Sequence, residues 1–313
     1  MSIVSIIIPT YNRSKLVKES IDSLLVQTYN NLEIHVVDDG STDDTQQTVT
    51  GIAQKDNRVK YYLRPHLGTC AARNFGLEQS TGDFVCFFDH DDLWPPNYIE
   101  TMVKSLQANP DFGAAYSKLM MFGDVSGEYE ASGKRGSGFI TADLFTGKLH
   151  ILPSSAMFRR SVWDGIRFEI SLRIGETFDI LLRISTRAKF LYVPNLYAMH
   201  RERDDTAGAM AVKDLVVNAP RVMERFYFQL GGNSYVPKKL AFRRISRKYR
   251  RAALDHYRAG YRAASITLLE KALSYDPLDL RLYLNLFKAF ILNPKNDKMP
   301  DWRLPPALPP IRD

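Results

Sequence analysis

The sequence predicts an α/β protein: a mostly parallel sheet flanked by helices, followed by a small all-helical region. Three observations lead there. Through the first hundred residues, strand-like and helix-like patterns alternate, the order that builds parallel sheets. The run Phe84-Val85-Cys86-Phe87-Phe88 is continuously apolar, as suits a strand covered on both faces. From about residue 211 onward only helix-like periodicity remains.

Val4–Ile8 is apolar and β-branched and reads as the first strand. Ser14 is placed to cap a helix running to about Gln27, with Leu16, Ile21, Leu24 and Leu25 facing inward. Leu32–Val37 is the second strand, and Ser41 or Thr42 opens a helix that ends near Lys55. Val59–Leu63 is a short strand, Gly68–Ser80 a helix, Phe84–Phe88 the fourth strand and Asn97–Ala108 a further helix. The Gly-rich stretch Gly123–Gly138 predicts a mobile loop or an excursion from the sheet. Phe190–Val193 is another strand. The predicted organisation is one domain over 1–210, a helical region over 211–295 and a Pro-rich tail over 296–313, extended or disordered. Within the helical region, about 246–280 resembles one tetratricopeptide-type hairpin, matching at Ala253, Gly260, Ala272 and Pro277. One such unit cannot bury its own apolar face, so it must pack on the other helices or on the first domain.

A chain of 313 residues can bury a full core. Its two cysteines, Cys70 and Cys86, supply neither a disulfide framework nor a zinc spacing, and they fit a reducing compartment. No apolar stretch approaches bilayer-crossing length. The start Met1–Pro9 lacks the basic n-region of a signal peptide, so the expected location is cytoplasmic. The net charge of +7 is unevenly placed. Acidic clusters lie in the first hundred residues, whereas Lys238–Arg251 holds eight Lys or Arg and no Asp or Glu. Such asymmetry points to a polyanionic surface. No nucleic-acid motif accompanies the charge, so no nucleic-acid partner is expected. Ile245, Tyr249 and Ala252 form an apolar stripe at helical spacing inside this stretch. The basic residues around it read as a solvated helix face or as a peripheral hold on an anionic inner-membrane surface, worth about 1 kcal/mol per residue.

Asp89-His90-Asp91-Asp92 is the most informative segment. Its carboxylates emerge at the carboxyl end of an apolar strand, where open α/β sheets hold ligands. A divalent cation would relieve their mutual repulsion, and carboxylate oxygens suit magnesium or manganese. The plainer reading is an acidic turn, or a helix cap at Asp92. Two further segments, Pro9-Thr10-Tyr11-Asn12-Arg13 and Val36-Val37-Asp38-Asp39-Gly40-Ser41, also close strands. Each alone could be turn chemistry. All three falling along one sheet edge is far less expected by chance.

These segments, with Gly68-Thr69-Cys70-Ala71-Ala72-Arg73-Asn74-Phe75-Gly76 and Gly82–Asp92, follow the order and spacing of a family 2 glycosyltransferase. The chain resembles that family, with its Rossmann-like GT-A fold, over roughly residues 1–200. The resemblance implies a nucleotide-sugar donor bound by Pro9, Thr10, Tyr11, Arg13, Asp38, Asp39, Arg73, Asp89 and His90. Thr10 and Arg13 would flank the nucleotide, Asp39 would accept from the base, and Arg73 would meet the diphosphate or the base. It implies Mn2+ or Mg2+ held by Asp89 and Asp91, with Asp92 ligating through water or orienting Asp91. His200, after the predicted strand, would be a further ligand or simply a polar residue at a strand end. Gly175-Glu176-Thr177-Phe178-Asp179 resembles the family's acidic stretch at a helix start. The position that usually carries the general base is Thr177, which cannot take a proton near neutral pH. Glu176 or Asp179 is then the candidate base, and Asp179 could instead pair with Arg183 one turn on.

The implied chemistry is an inverting displacement from a UDP- or dTDP-sugar to a hydroxyl of a glycan or lipid-linked acceptor, as in surface polysaccharide synthesis. A glycosidase also uses two carboxylates, but it needs no strand-end nucleotide motifs. A nucleotidyltransferase should carry a Gly-rich loop after its first strand, and Pro9–Arg13 has no glycine. The Thr177 departure leaves room for an inactive relative whose helical region binds a protein.

Overall fold

The computed structural model describes residues 2–128, 136–202, 217–291 and 302–309. Two compact units emerge, one built from residues 1–140 and 148–204, the other from 141–147 and 205–312. The first unit contains β1 (Val4–Thr10), α1 (Ser14–Leu25), β2 (Leu32–Asp38), α2 (Thr45–Ala53), β3 (Val59–Leu63), α3 (Thr69–Gln79), β4 (Phe84–Phe87) and α4 (Tyr98–Ala108). It continues with β5 (Phe112–Gly123), β6 (Gly127–Glu128), β7 (Ala156–Arg159), α6 (Glu176–Ser185) and β8 (Lys189–Glu202). Among the described residues the sheet has the order β3-β2-β1-β4-β7-β5-β6, with β8 on β5. β1 runs parallel to β2 and β4, and β2 to β3. β7 is antiparallel to both β4 and β5, whereas β8 is parallel to β5.

The apolar runs become the inner strands, because only residues tolerating burial on both sides can stand there. β1, β2 and β4 are buried along their whole lengths. Alternate residues serve opposite faces. Ile6, Ile8, Ile34 and Cys86 join Val17, Ile21 and Leu24 of α1 and Tyr98 and Met102 of α4 in one core. On the other face, the Phe87 ring packs on Trp163 and Phe168. There, α3 crosses Ile7 so closely that a Cβ at Gly76 would collide with that side chain and stand 3.3 Å from Val37 Cγ2.

Several sequence expectations are corrected. Ser14 is the first helical residue of α1 rather than its cap. Its N–H donates to Asp43 Oδ2 at 3.2 Å, so the cap comes from the next loop. Asp43 also accepts from the Thr45 N–H, and α2 starts at Thr45 rather than at Ser41 or Thr42. The strand expected over Phe190–Val193 runs on to Glu202, past a register shift opposite Ser117/Lys118. Part of the Gly-rich stretch, 129–135, lies outside the described residues.

The second unit holds α5 (Thr141–Thr146), α7 (Asn218–Gln229), α8 (Lys238–Arg258), α9 (Arg262–Tyr275) and α10 (Leu280–Ile291). The expected boundary near residue 210 falls outside the described residues. Placing α5 here was not anticipated; Phe145 packs against the Phe226 and Tyr227 rings, and that burial assigns it. The stripe Ile245, Tyr249 and Ala252 is buried. Glu224 accepts hydrogen bonds from the Tyr249 and Tyr275 hydroxyls, with Lys271 3.3 Å away. Residues 302–309 have no regular secondary structure, yet Trp302 and Leu308 are buried. No helix among the described residues is long and apolar enough to cross a membrane.

Two predictions follow from this packing. Gly→Ala inside a helix usually stabilises by about 1 kcal/mol. Gly76→Ala should instead destabilise by about 1–3 kcal/mol, since the overpacking against Ile7 outweighs the propensity gain; urea unfolding measures it. At the start of β2, buried Glu33 accepts from Ser5 Oγ at 2.6 Å and from the N–H groups of Thr81 and Gly82, with Lys60 at 3.1 Å. Burial pushes its carboxyl up, but these donors and charges outweigh burial and hold it at about 2. A depressed carboxyl stabilises the fold above its ordinary value of 4.5 and loses that contribution as pH falls through about 2. Unfolding free energy should therefore decline across that window in the wild type and be flatter in Glu33→Gln.

Candidate active site

β1 lies at the point where the chain reverses: β2 and β3 are laid down on one side of it, β4 on the other. Loops leaving β1, β2 and β4 then diverge from one edge, and a crevice opens between them. A cavity of about 310 Å³ occupies this position, with Tyr11, Asp39, Arg73, Asp91, Glu176 and His200 in its wall. Pro9, Thr10, Thr69, Asp89 and His90 complete it.

The β1 and β2 loops are tied to each other. Asn12 adopts a left-handed backbone, φ 50°, which asparagine tolerates better than most residues. Its Oδ1 accepts the Thr42 N–H at 2.7 Å, and its own N–H donates to Ser41 Oγ at 2.8 Å. Gly40 follows with φ 87°, where any Cβ would crowd Arg64 and His66 backbone atoms at 3.3 Å. Asp39 accepts from the N–H groups of Leu67 and Gly68 at 2.8 and 2.9 Å, with His66 Nδ1 3.0 Å from Oδ2. A carboxylate has about four acceptor sites, so one direction is left for a ligand donor. The exposed Tyr11 ring lies 4.3 Å from the His66 ring, centroid to centroid.

Arg73 is buried on α3 and joins two sides of the cavity. Its Nη2 donates to Asp89 Oδ1 at 2.9 Å and its Nη1 to Glu176 Oε1 at 3.1 Å. The guanidinium also lies over the Phe168 ring at 5.3 Å. Burial works against its charge, but Asp89 and Glu176 outweigh burial and raise its pKa. The Asp89 N–H donates to Ser154 Oγ, and His90 Nδ1 lies 3.2 Å from the Pro9 carbonyl.

Asp92 is fully buried rather than in the cavity wall. Its Oδ1 receives His200 Nδ1 at 2.9 Å and the Arg201 N–H at 3.1 Å. These contacts hold the His200 ring, where the sequence reading placed Asp92 beside the metal or Asp91. Burial lowers His200, yet the hydrogen bond and charge of Asp92, with Asp89 and Asp91 nearby, raise it to about 9. Burial pushes Asp92 itself up.

Three other expected residues stand apart from the cavity. Asp38 is fully buried and caps the loop, accepting the Ser41 N–H at 2.8 Å and the Tyr61 hydroxyl at 2.7 Å. Arg13 is not in the wall. Asp179 is buried and paired with Arg183 at 2.9 Å, the alternative one turn on that the sequence offered. His66 and Thr69 were not anticipated. The signal was their place at the entry to α3: Thr69 is the first helical residue, inside the glycine motif, and His66 lies in the loop just before it.

Residues 5–167, just over half of the chain, match the family described as Glycosyl transferase family 2. The chain belongs to this family. An uncharacterized glycosyltransferase of Rickettsia felis is 34% identical over 189 residues, covering 59% of this chain and 30% of the relative. A Campylobacter jejuni relative named GalNAc(5)-diNAcBac-PP-undecaprenol beta-1,3-glucosyltransferase is 30% identical, covering 53% of this chain and 54% of its own. The chain thus spans about a third to a half of the length of these relatives. Among solved structures, Staphylococcus aureus TarS 1-349 in complex with UDP superposes with TM-score 0.66 at 18% identity, covering 92% of this chain and 87% of TarS. The mannosyltransferase PcManGT from Pyrobaculum calidifontis, in complex with GDP-Man and Mn2+, superposes with TM-score 0.55 at 21% identity, covering 91% of this chain and 85% of its own. The fold is GT-A.

Arg73→Met should cost about 3 kcal/mol, because it leaves two carboxylates facing each other without their shared cation; thermal and urea unfolding report it. The charged form of His200 stabilises the fold fully below 6.5 and loses that contribution as pH rises through about 9. An NMR titration of the imidazole should show the raised value, and Asp92→Asn should bring it down.

Proposed function

We propose that this protein is an inverting glycosyltransferase that moves a sugar from a nucleotide diphosphate donor to an acceptor hydroxyl. The observation that carries the reading is the single cavity at the sheet edge, which brings Asp39, Arg73, Asp89, Asp91 and Glu176 together. Asp39 has an acceptor site to offer a base N–H, and Tyr11 with His66 offers a ring surface beside it. A uracil or thymine N–H suits that carboxylate, so the donor is a UDP- or dTDP-sugar. TarS was solved with UDP and PcManGT with GDP-Man, so the fold does not choose the base.

The donor set also fits Mn2+ or Mg2+. Among the described residues, no three His, Cys, Asp or Glu side chains stand ready to hold an ion by themselves. Such an ion needs only one or two protein carboxylates when it shares diphosphate oxygens and keeps waters. Asp91 and Asp89 would hold it, and His200 would add Nε2 once deprotonated, since Nδ1 is turned to Asp92. Bound there, the ion would offset charge growing on the leaving diphosphate.

In the displacement, the acceptor oxygen bonds to the anomeric carbon as the bond from that carbon to the diphosphate oxygen breaks. The hydroxyl proton passes to a carboxylate. Glu176 is that base: it lines the cavity, Arg73 fixes it, and Asp179 is committed to Arg183. The acceptor is a glycan or lipid-linked hydroxyl in surface polysaccharide synthesis, met at an anionic membrane that attracts the basic stretch 238–251. The α8–α9 pair is the tetratricopeptide-like hairpin of that second unit. Thr177 favours a second reading, an inactive relative acting through its helical unit.

Thermal shifts with UDP, dTDP, GDP and CMP, with and without manganese, test the binding half. A manganese-dependent shift with UDP or dTDP, lost in Asp91→Ala, is expected; a folded protein that shifts with none supports the inactive reading. Glu176→Gln should keep the shift while lowering kcat by about 10²–10⁴. Unchanged kcat would remove Glu176 as the base.

A further inference from the structure

In the second unit, α10 presents an apolar face that nothing in the described residues covers. Leu280, Tyr283, Leu284, Phe287, Phe290 and Ile291 are each 48–74% exposed. Their spacing places them on one stripe of the helix. Leu282 and Ala289 are the buried residues of this helix. Leu278, just before α10, is also exposed. An exposed apolar stripe of this size marks an interaction surface.

Charge identifies the partner. A cavity of about 950 Å³ opens where α10 begins, and Leu278 and Leu280 share its wall with Lys238, Lys239, Arg243 and Arg247 of α8; Asp276 and Asp279 also line it, and Asp279 is taken up by Arg281 at 2.7 Å, which leaves the four α8 cations in excess. The sequence of α10 contains no Asp or Glu, and Arg281 and Lys288 are its charges. Apolar side chains and cations therefore converge on one surface. An anionic lipid layer matches both at once: phosphates meet the cations, and acyl chains receive Leu and Phe. Twelve residues are too few to span a bilayer, so the helix would lie along the surface.

We infer that α10 is a membrane-docking helix, seated at the headgroup boundary of an anionic leaflet with the α8 cations over the phosphates. The inference rests on the anionic-surface reading of 238–251 and adds to it a separable element, the inserted apolar stripe.

The test is flotation of the full chain with phosphatidylcholine vesicles, with and without phosphatidylglycerol, at low and high salt. Wild type is compared with Leu284→Gln/Phe287→Gln and with Lys238→Gln/Lys239→Gln/Arg243→Gln; all five positions are partly or fully exposed to solvent, and circular dichroism checks folding. Wild type should bind phosphatidylglycerol vesicles. The apolar variant should partition at least about tenfold more weakly while keeping its salt dependence. The charge variant should bind weakly with a flattened salt dependence. An apolar variant that floats like wild type overturns insertion by α10 and leaves the electrostatic reading standing. Wild type that fails to float overturns both. Self-association in sedimentation velocity, lost in the apolar variant without any vesicle binding, makes a second copy the occupant and overturns the proposal.

Discussion

Much of the first unit hangs on one buried guanidinium. Arg73 reaches Asp89, which follows β4, and Glu176, which begins α6, although these residues are far apart in the chain. A planar fork can hold two carboxylates in fixed directions, which an ammonium cannot. Its burial makes the arrangement costly to break, since either carboxylate would otherwise face the other across a small cavity. The helix carrying Arg73 is in turn held against β1 by the absence of a side chain at Gly76. Backbone packing and site electrostatics are thus one constraint.

The acidic residues divide by what the fold does with their lone pairs. Asp38, Asp92 and Asp179 are buried, and each is paired by a partner that fixes a loop, a histidine or a helix. Asp39, Asp89, Asp91 and Glu176 keep an edge on the cavity. Buried polar groups need partners, so the first set shapes the site and the second is positioned to meet a ligand. Adjacent residues such as Asp38 and Asp39 differ because successive positions at a strand end point to opposite sides.

The helical unit obeys the same logic with apolar groups. In α8 the stripe Ile245, Tyr249 and Ala252 is core; Lys238, Lys239, Arg243, Arg247 and Arg251 are exposed, while Arg244, Lys248 and Arg250 are half-buried. In α10 the balance is reversed, with large apolar residues left outward. The cations of α8 share a cavity wall with Leu280, the first residue of that stripe, and with Asp276 and Asp279.

By itself the sequence determined the fold class, the inner strands and the segments that close them. Short continuous apolar runs between turn signals suit strands buried on both faces, and the alternating strand–helix order then brings their ends to one edge. The sequence also carried the family, through four motifs in order. Tertiary structure decided what the pattern could not. Whether a carboxylate faces a ligand or a neighbour depends on groups distant in the chain: Tyr61 for Asp38, His200 for Asp92, Arg73 for Glu176. The placement of α5 and the outward stripe of α10 were hidden for the same reason. Periodicity tells which residues share a face; only packing tells whether that face is covered.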